Sequence, residues 1–511
     1  MDRNFRFFER DCFIPQDTIL RKGVELWYGK VQNVYSPIYS VNSGKPFCIG
    51  HYPMMSGRDS LNCLDLAEAA WGNGNGEWPT LSHKERIKAV LNFVNLMELH
   101  RTEILRTLMW EICKTRPDAE SEFDRTVAYI KDSCKELEKL SIDWGMVREE
   151  GGLLIQEDRA PRGIVLCMGP SNYPLNETFT TLLPALLMGN VVLFKPAKVG
   201  VLLLEPLLKC FAEAFPMGTV TTLYGEGGEV ISPIIRSGRV DVFAFIGSSW
   251  VADKILQQHP APHRCKIILG LEAKNPGIIL PNADLDNAVK HCVKGALSYN
   301  GQRCTALKVL FVHKSNSEAF REKFVAAVNA LKYGLPWEYG VQLTPVLPGS
   351  IDRFQALLTD STTRGAEVLN ANGGKVVDGY MHPAVLYPVN EQMRLYREEQ
   401  FGPLVPIIEY ENLDEVVNWQ VKLPYGQQLS VFGGEADLEQ IKELKQLTKN
   451  QVCRFNINTS CQRGPDNIPF TGRKDSAAAT LSLRDALLEF SIENVTAAPS
   501  SGSLLVESVK K

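Results

Sequence analysis

The sequence has little excess charge of either sign. Its 55 Lys and Arg residues nearly balance its 59 Asp and Glu residues, which leaves a formal net charge of −4. Proteins that bind nucleic acid usually carry a basic excess or a basic face. The charge balance therefore predicts a partner other than nucleic acid.

Paired cysteines and paired histidines are also lacking. The 12 cysteines are scattered through 511 residues, no C-x-x-C pair occurs, and the 8 histidines show no metal-ligand spacing. This density excludes a disulfide scaffold, and the spacing does not support a zinc ribbon or a redox dithiol. We expect free thiols in a reducing, cytoplasmic setting and no bound metal.

Long apolar runs are missing as well. The most apolar stretch, residues 181–194, is shorter than a bilayer span and contains proline, glycine and asparagine. The N-terminus mixes acids with bases and lacks the apolar region of a secretory signal. We therefore expect no membrane partner. A Ser/Gly-rich stretch at 499–511 is typical of a flexible tail.

The composition is that of a globular protein, with 44% hydrophobic residues. Its length exceeds what one hydrophobic core usually covers, so two or more domains are expected. Helical patterns cover 80–115, where Ser82 and Glu85 form a capping-box signature, and 118–140.

From residue 163 onward, short apolar runs alternate with helical patterns. The runs at 163–169, 190–196, 220–228, 240–249 and 265–271 end in glycine, proline or a turn, as buried parallel strands do. The alternation returns at 301–313, 404–409 and 428–433. It predicts two α/β domains with mostly parallel sheets, whose ligands bind where strands end and helices begin.

Two glycine turns lie between predicted strands and helices: GEGG (225–228) and IGSS (246–249). Backbone N–H groups at such a turn attract phosphate, and glycine permits its close approach. Neither turn matches G-x-G-x-x-G. Both a nucleotide site and a plain chain reversal remain open on this pattern.

Five segments, taken in order, resemble the aldehyde dehydrogenase superfamily: GPSNYPLNE (169–177), FKPAK (194–198), FIGSS (245–249), GQRCTA (301–306) and EEQFGP (398–403). The narrower resemblance is to NADP-dependent, non-phosphorylating glyceraldehyde-3-phosphate dehydrogenases. It rests on NYP at 172–174, on Arg303 before Cys304 and on QRGPDNIPF (462–470).

The resemblance implies an aldehyde dehydrogenase-like α/β fold in three parts. These are a Rossmann-type NADP-binding domain (1–140 and 163–271), a catalytic domain (272–457) and a small β oligomerisation element (141–162 and 484–498). It also implies a homodimer or homotetramer.

The resemblance assigns the catalytic roles to Cys304 and Asn172. Cys304 would be the nucleophile that forms a thioester with the aldehyde carbon, and Asn172 would stabilise the oxyanion. Without the resemblance, a core thiol and a turn asparagine would be the ordinary interpretations.

The resemblance also implies cofactor and substrate residues. Lys198 stands where NAD-preferring relatives often carry glutamate, so NADP is favoured, with NAD as a possible substitute. The cofactor-binding candidates are Lys195, Lys198, Pro170, Ser171, Gly225, Gly228, Gly247, Ser248, Glu399 and Phe401. The candidates for holding a phosphorylated aldehyde are Arg125, Tyr173, Arg303 and Arg463, because arginine forks suit phosphate.

One departure from the superfamily pattern is central. LELGGK places a glutamate ahead of the cysteine, as the base that activates water, but this chain reads IILGLEAKN at 267–275, which puts Gly270 at that position. Three interpretations remain open: Glu272 reaches the site as the base, another group such as Glu399 does so, or the acyl group passes to coenzyme A or phosphate.

The resemblance thus implies oxidation of glyceraldehyde 3-phosphate, a glycolytic step, or of a similar small anionic aldehyde. An acylating dehydrogenase and a catalytically impaired nucleotide-binding relative are the alternatives. For Glu272, a solvated turn acid or helix-start acid outside the site is the competing interpretation.

Overall fold

The structure is a computed structural model that describes residues 20–21, 25–26, 29–40 and 44–500. Cys12 and most of the predicted tail, residues 501–511, lie outside the described residues. All cysteines within the described part of the chain are free thiols.

A six-stranded sheet forms the core of the first half. Five strands are parallel, and the edge strand Ala477–Ala478 is antiparallel to its neighbour. The order across the sheet is Ala477–Ala478, Lys266–Gly270, Val242–Ile246, Ile164–Met168, Val191–Lys195 and Val220–Thr222. The chain winds outward from Ile164–Met168 in one direction and then returns to its other side. This reversal creates a crevice at the carboxyl ends of Ile164–Met168 and Val242–Ile246, where open α/β sheets bind ligands.

Helices cover this sheet and precede it in the chain. Their bounds are Gly57–Trp71, Glu77–Thr80, His83–Leu99, Arg101–Glu111, Arg116–Trp144, Asn176–Leu187, Glu205–Ala214, Gly227–Arg236, Ser249–Leu256 and Leu483–Glu489. The predicted capping box is confirmed, because Ser82 Oγ accepts from Glu85 N at 3.3 Å and Glu85 Oε2 accepts from Ser82 N at 2.8 Å. The helix predicted at 80–115 is instead two main helices that meet at His100.

A seven-stranded sheet forms the second half. Its order is Glu367–Val368, Ala384–Tyr387, Leu404–Tyr410, Leu307–His313, Asn275–Ile279, Gln428–Phe432 and Arg454–Ile457. All neighbours are parallel except the first pair. Its helices are Leu285–Leu297, Ser317–Asn329, Ile351–Thr363, Leu413–Lys422 and Leu438–Thr448.

The two main sheets follow each other directly in the chain. Lys266–Gly270 ends in the first sheet, and Asn275–Ile279 begins in the second. The proposed domain boundary at 271/272 lies within this four-residue link. Gly270 is therefore the last strand residue before the chain crosses from one sheet to the other.

A separate three-stranded antiparallel sheet is built from Val147–Glu150, Leu153–Pro161 and Ser491–Pro499. The strand expected from 484 onward begins only at Ser491, so that part of the prediction is wrong. Residues Leu483–Glu489 form a helix because Ser482 Oγ accepts from Asp485 N at 3.1 Å, and because Ala486 and Leu487 are buried on its inner side. Similarly, residues 141–144 complete the long helix Arg116–Trp144.

Smaller strand pairs complete the fold: Leu20–Arg21 with Glu25–Leu26, Val31–Tyr39 with Pro46–Pro53, Val376–Val377 with Tyr380–Met381, and Tyr425–Gly426 with Arg473–Lys474. Among the described residues, no helix has the length and apolar character that crossing a bilayer requires. The described His, Cys, Asp and Glu side chains form no group that could hold a metal ion.

Candidate active site

A cleft of about 390 Å³ opens at the crevice of the six-stranded sheet. Its walls carry Asn172 from the turn after Ile164–Met168, and Lys195 from the end of the neighbouring strand. Cys304 and Glu399 reach the same cleft from the second half of the chain. The cleft therefore brings together residues of both halves.

The chain enters the cysteine segment through a strained turn. Tyr299, Asn300 and Gly301 all have positive φ angles, at 50°, 54° and 71°. A Cβ atom at Gly301 would lie 2.7 Å from the backbone oxygens of both Ala296 and Gly402, so only glycine fits there. Strained backbone of this kind persists where surrounding contacts hold it, as at functional sites.

Side-chain hydrogen bonds fix the backbone at Cys304. Lys308 Nζ donates to the Cys304 carbonyl at 2.6 Å, and Asn275 Nδ2 donates to it at 2.9 Å. Lys308 also pairs with Glu399 Oε1 at 2.6 Å, and the same oxygen accepts from Ala273 N at 3.1 Å. This network joins the cysteine segment to the EEQFGP segment and to the link between the sheets.

Asn172 lies beside the same backbone. Its Nδ2 donates to the Gln302 carbonyl at 2.9 Å, and the residue is only 6% exposed. An amide nitrogen carries two hydrogens, so a second donor remains. The Cys304 N–H has no hydrogen-bond acceptor among the described residues. Both groups therefore have an unused N–H donor, the kind of group that can stabilise an oxyanion.

The Cys304 thiol is a weak acid in this structure. Its pKa is raised to about 11, mainly by burial and also by the charges of Glu177 and Glu399, while Lys308 and Arg463 act in the opposite direction. Because the thiolate is the nucleophile, the thiol requires a proton acceptor or added positive charge to react near neutral pH.

Seven of the cofactor candidates line the cleft: Pro170, Ser171, Lys195, Gly247, Ser248, Glu399 and Phe401. Gly225 and Gly228 do not: Gly225 approaches the backbone of Met55, and Gly228 lies inside the helix Gly227–Arg236. Lys198 also lies outside the cleft wall, half-exposed, and forms an ion pair with Glu226 at 2.7 Å.

Lys195 has the chemistry to bind the oxygen atoms of an anionic ligand. Its ammonium is buried, and its hydrogen-bond acceptor within the described residues is the Pro196 carbonyl at 3.1 Å. Burial lowers its pKa to about 8. A buried ammonium with unused donors is costly unless oxygen acceptors meet it, and a ribose or phosphate supplies them.

Glu272 lines the cleft, so the expectation of an acid outside the site is not what the structure shows. Its carboxylate oxygens accept from Ser249 N at 3.1 and 2.9 Å. Ser249 is the first residue of the helix Ser249–Leu256. The carboxylate thus occupies a helix N-terminus that attracts anions.

The substrate candidates meet acidic partners. Arg463 Nη1 donates to Glu177 Oε2 at 2.6 Å, and Arg125 pairs with both oxygens of Asp466, at 2.6 and 3.1 Å. Arg303 donates to the Gly295 carbonyl at 2.7 Å. Two of the three arginines therefore already have a carboxylate partner, which their assignment as phosphate-binding candidates did not foresee.

Tyr173 lies outside the cleft wall, against a buried cation. The Lys114 ammonium lies 3.2 Å from the centroid of its ring and pairs with the Glu122 carboxylate. Burial raises the pKa of the Tyr173 hydroxyl, so it acts as a neutral donor or acceptor.

Glu177 is the functional candidate that reasoning from the sequence missed. It lines the cleft together with Cys304 and Asn172 and is only 7% exposed. It stood at the end of the quoted segment GPSNYPLNE, but a single acid in a helix start is unremarkable in a sequence. Its position in the same cleft as the thiol depends on the fold.

Comparison with known proteins identifies the family. Residues 33–495 match the aldehyde dehydrogenase family. The chain belongs to the aldehyde dehydrogenase family.

An NADP-dependent glyceraldehyde-3-phosphate dehydrogenase of Streptococcus equinus is 33% identical over 474 residues, which cover 91% of this chain and 94% of that protein. An alpha-ketoglutaric semialdehyde dehydrogenase of Bacillus subtilis is 26% identical, over 84% of this chain and 88% of that protein. The crystal structure of the Bacillus halodurans NADP-dependent glyceraldehyde-3-phosphate dehydrogenase with NADP superposes with a TM-score of 0.85. That structure is 28% identical, and the match covers 95% of this chain and 99% of that chain.

Gly270 distinguishes this aldehyde dehydrogenase from the pattern of its superfamily. It lines the cleft at the end of Lys266–Gly270. A Cβ atom there would meet only Ile246 side-chain atoms, at 3.5 to 4.0 Å, which is ordinary contact. The fold leaves room for a Cβ atom at this position, so crowding at the Cβ does not explain the glycine.

The charge of Glu177 can be tested on the thiol of this aldehyde dehydrogenase. Glu177→Gln removes the negative charge that, after burial, contributes most to the raised pKa of Cys304. We expect a lower pKa and about threefold to tenfold faster alkylation of Cys304 by iodoacetamide near pH ~8, because one pKa unit changes the thiolate fraction tenfold. Peptide mass spectrometry over a pH series measures this rate. An unchanged pH profile, equal to that of the matched variant Glu409→Gln outside the cleft, would contradict the electrostatic assignment.

Proposed function

We propose that this chain oxidises D-glyceraldehyde 3-phosphate, or a similar small anionic aldehyde, to the corresponding acid with NADP. The observation that carries the proposal is that Cys304 and Asn172 line one cleft, with N–H donors on the Asn172 amide and on the Cys304 backbone that have no partner among the described residues. The Streptococcus equinus relative, which bears that activity in its name, supports the choice of substrate and cofactor.

The first step is attack of the Cys304 thiolate on the aldehyde carbon. The negative charge that develops on oxygen is stabilised by Asn172 Nδ2 and by the Cys304 N–H. Lys308 and Asn275 hold the Cys304 carbonyl, which keeps the N–H of the segment oriented. NADP, when bound, supplies the acceptor for the hydride, and Cys304 is left carrying a thioester.

The cofactor would be held by Lys195, Glu399, Phe401, Pro170, Ser171, Gly247 and Ser248, which line the cleft. Lys198 would act on a 2′-phosphate from the cleft rim, in competition with its partner Glu226. Gly225 and Gly228 remain candidates for shaping the turn. A bound pyrophosphate would compete with Glu272 for the helix start at Ser249.

Recognition of an anionic substrate would depend on the positive charge of the candidate arginines. Arg303 has carbonyl partners but no carboxylate partner within the described residues. It would supply the main charge toward a substrate phosphate, assisted by Arg463, Arg125 and Tyr173. Because Arg463 and Arg125 are already paired, we expect a smaller contribution from each of them.

A second candidate function is favoured by Gly270. Without a carboxylate at that position, the thioester could pass to coenzyme A or to phosphate instead of water. The enzyme would then be an acylating dehydrogenase. A catalytically impaired relative that binds nucleotide without turnover is the remaining alternative.

We also propose that the chain forms a homodimer or homotetramer through its three-stranded sheet. The edges of this sheet are Val147–Glu150 and Ser491–Pro499, and both carry exposed apolar side chains. Ile492 is 48% and Val495 55% exposed. Open edges with apolar side chains favour pairing with another chain. A cytoplasmic location completes the proposal, because its nucleophile is a free thiol.

Cofactor preference is tested at Lys198. Lys198→Glu places a second acid beside Glu226 and repels a 2′-phosphate, so we expect the ratio of kcat/KM for NADP over NAD to fall about tenfold or more. Glu226→Gln frees the lysine and should raise that ratio. Steady-state kinetics with both cofactors measure it. Equal ratios in all three proteins would exclude Lys198 as the determinant.

Assembly is tested at the sheet edge. Ile492→Asp combined with Val495→Asp adds charge to the proposed interface, so we expect a shift to a smaller species in light scattering coupled to size exclusion. Tyr339→Asp, at a residue that is 97% exposed elsewhere, is the control. An unchanged mass in the double variant would show that this sheet is not the interface.

The activity itself is tested by following NADPH from NADP and glyceraldehyde 3-phosphate, with and without coenzyme A or phosphate. We expect sustained turnover to the free acid that neither addition stimulates, and loss of turnover in Cys304→Ala. Asn172→Ala should lower kcat by about 100-fold to 1,000-fold. A single burst that resumes only with coenzyme A or phosphate would establish the acylating alternative. NADP binding without NADPH formation would establish the impaired one.

A further inference from the structure

We propose that Glu177 is the general base that releases the acyl group from Cys304 and so takes over the work of the carboxylate missing at Gly270. The inference rests on the thioester of the proposed function. It assigns the hydrolytic step to a side chain on the helix that follows Asn172, and not to the strand Lys266–Gly270.

The position of Glu177 is fixed by the start of its helix. Glu177 is the second residue of Asn176–Leu187, and its N–H donates to the Tyr173 carbonyl at 3.2 Å. The preceding N–H groups, of Leu175 and Asn176, both donate to Glu122 Oε1 at 3.1 Å. A buried carboxylate thus anchors this turn, and the Glu177 side chain lines the same cleft as Cys304.

The carboxylate of Glu177 is oriented but not fully used. Oε2 accepts from Arg463 Nη1 at 2.6 Å, whereas Oε1 accepts no hydrogen bond from the described residues. Arg463 is itself held over the Phe470 ring, 4.5 Å from its centroid. The ion pair keeps the carboxylate in place, and the second oxygen remains available to a water molecule.

The negative charge of Glu177 affects the pKa of the Cys304 thiol. After burial, the charge of Glu177 is the largest contribution that raises the pKa of Cys304, ahead of that of Glu399. The carboxylate therefore acts on the sulfur more strongly than the other cleft acid that affects the thiol. This agrees with the position of both side chains on the wall of one cleft.

The other two acids of the cleft, Glu272 and Glu399, are engaged in hydrogen bonds that hold the local structure. Both Glu272 oxygens accept from Ser249 N. Glu399 Oε1 accepts from Lys308 and from Ala273 N, so this carboxylate is part of the network that holds the Cys304 carbonyl. Glu177 is the acid whose free oxygen does not belong to the network that holds the Cys304 carbonyl.

The step balances with groups already present. Glu177 accepts a proton from water as the water oxygen bonds to the thioester carbonyl carbon, and Asn172 stabilises the tetrahedral oxyanion. The C–S bond then breaks, the electron pair leaves with the Cys304 sulfur, and the acid departs. The proton on Glu177 passes to solvent or to the thiolate.

The test separates acylation from release with p-nitrophenyl acetate, which acylates a cysteine without NADP or an aldehyde. Nitrophenolate should appear as a burst of about one equivalent per Cys304, followed by a steady rate set by thioester hydrolysis. We expect Glu177→Gln to keep the burst amplitude and to lose about 100-fold in the steady rate, the size of a general-base contribution. Glu409→Gln, a matched change outside the cleft, should behave as the unchanged protein.

Hydroxylamine provides the readout that a merely structural role would not share. It attacks a thioester with less need of a base than water, so it should release the acyl group equally fast in the unchanged protein and in Glu177→Gln. Slower release by hydroxylamine would show that the substitution displaces the thioester, and an unchanged steady rate in water would show that Glu177 is not the base. Either result overturns the proposal.

Two further measurements distinguish the role of Glu177 from a folding defect and from the choice of substrate. If Glu177→Gln does not fold, Glu177→Asp decides, because its carboxylate is set back by one methylene: slower hydrolysis at constant burst supports the assignment, and an unchanged rate contradicts it. NADPH formation from glyceraldehyde 3-phosphate is measured on the same samples. Failure of that reaction alone would refute the proposed substrate and leave the role of Glu177 standing.

Discussion

The buried ammonium of Lys308 is the constraint on which the site depends. It is 1% exposed, donates to the Cys304 carbonyl and pairs with Glu399. An isolated charge so deeply buried would cost several kcal/mol, so its partners must stay in place. Since Glu399 also accepts from Ala273 N, one cation holds the Cys304 segment, the EEQFGP segment and the link between the two sheets together. The position of the thiol follows from this arrangement.

Burial in the same low-polarity surroundings also determines how readily the Cys304 thiol ionises. Burial raises the pKa of Cys304 to about 11, which favours the inactive thiol, while Lys308 and Arg463 act in the opposite direction. The cleft holds three acids, Glu177, Glu272 and Glu399, whose partners differ. One caps a helix, one is bound to Lys308, and one has an arginine on a single oxygen. All three are glutamates, so the different roles that we propose for them follow from their hydrogen-bond and ion-pair partners.

Much of the fold could be predicted because its signals are local. The buried strands and the Ser82 capping box are readable from neighbouring residues, and Cys304 and Asn172 lie in short segments with a recognisable order. The contacts that alter the expected roles of site residues join parts of the chain that are distant in sequence. Arg463 meets Glu177 across 286 positions, and Lys198 meets Glu226 only in the folded protein. The C-terminal helix Leu483–Glu489 was missed because its Ser482 cap was not recognised as a helix start.

The most direct test of the account is to trap the acyl group. The protein is mixed with NADP and glyceraldehyde 3-phosphate, quenched in acid within the first turnover, digested and analysed by mass spectrometry. We predict an acyl adduct on the peptide that contains Cys304 and on no other cysteine peptide, with a lifetime that lengthens in Glu177→Gln. NADPH formation at full rate without an adduct on Cys304, or with the adduct on another cysteine, would contradict the central claim that Cys304 carries the reaction.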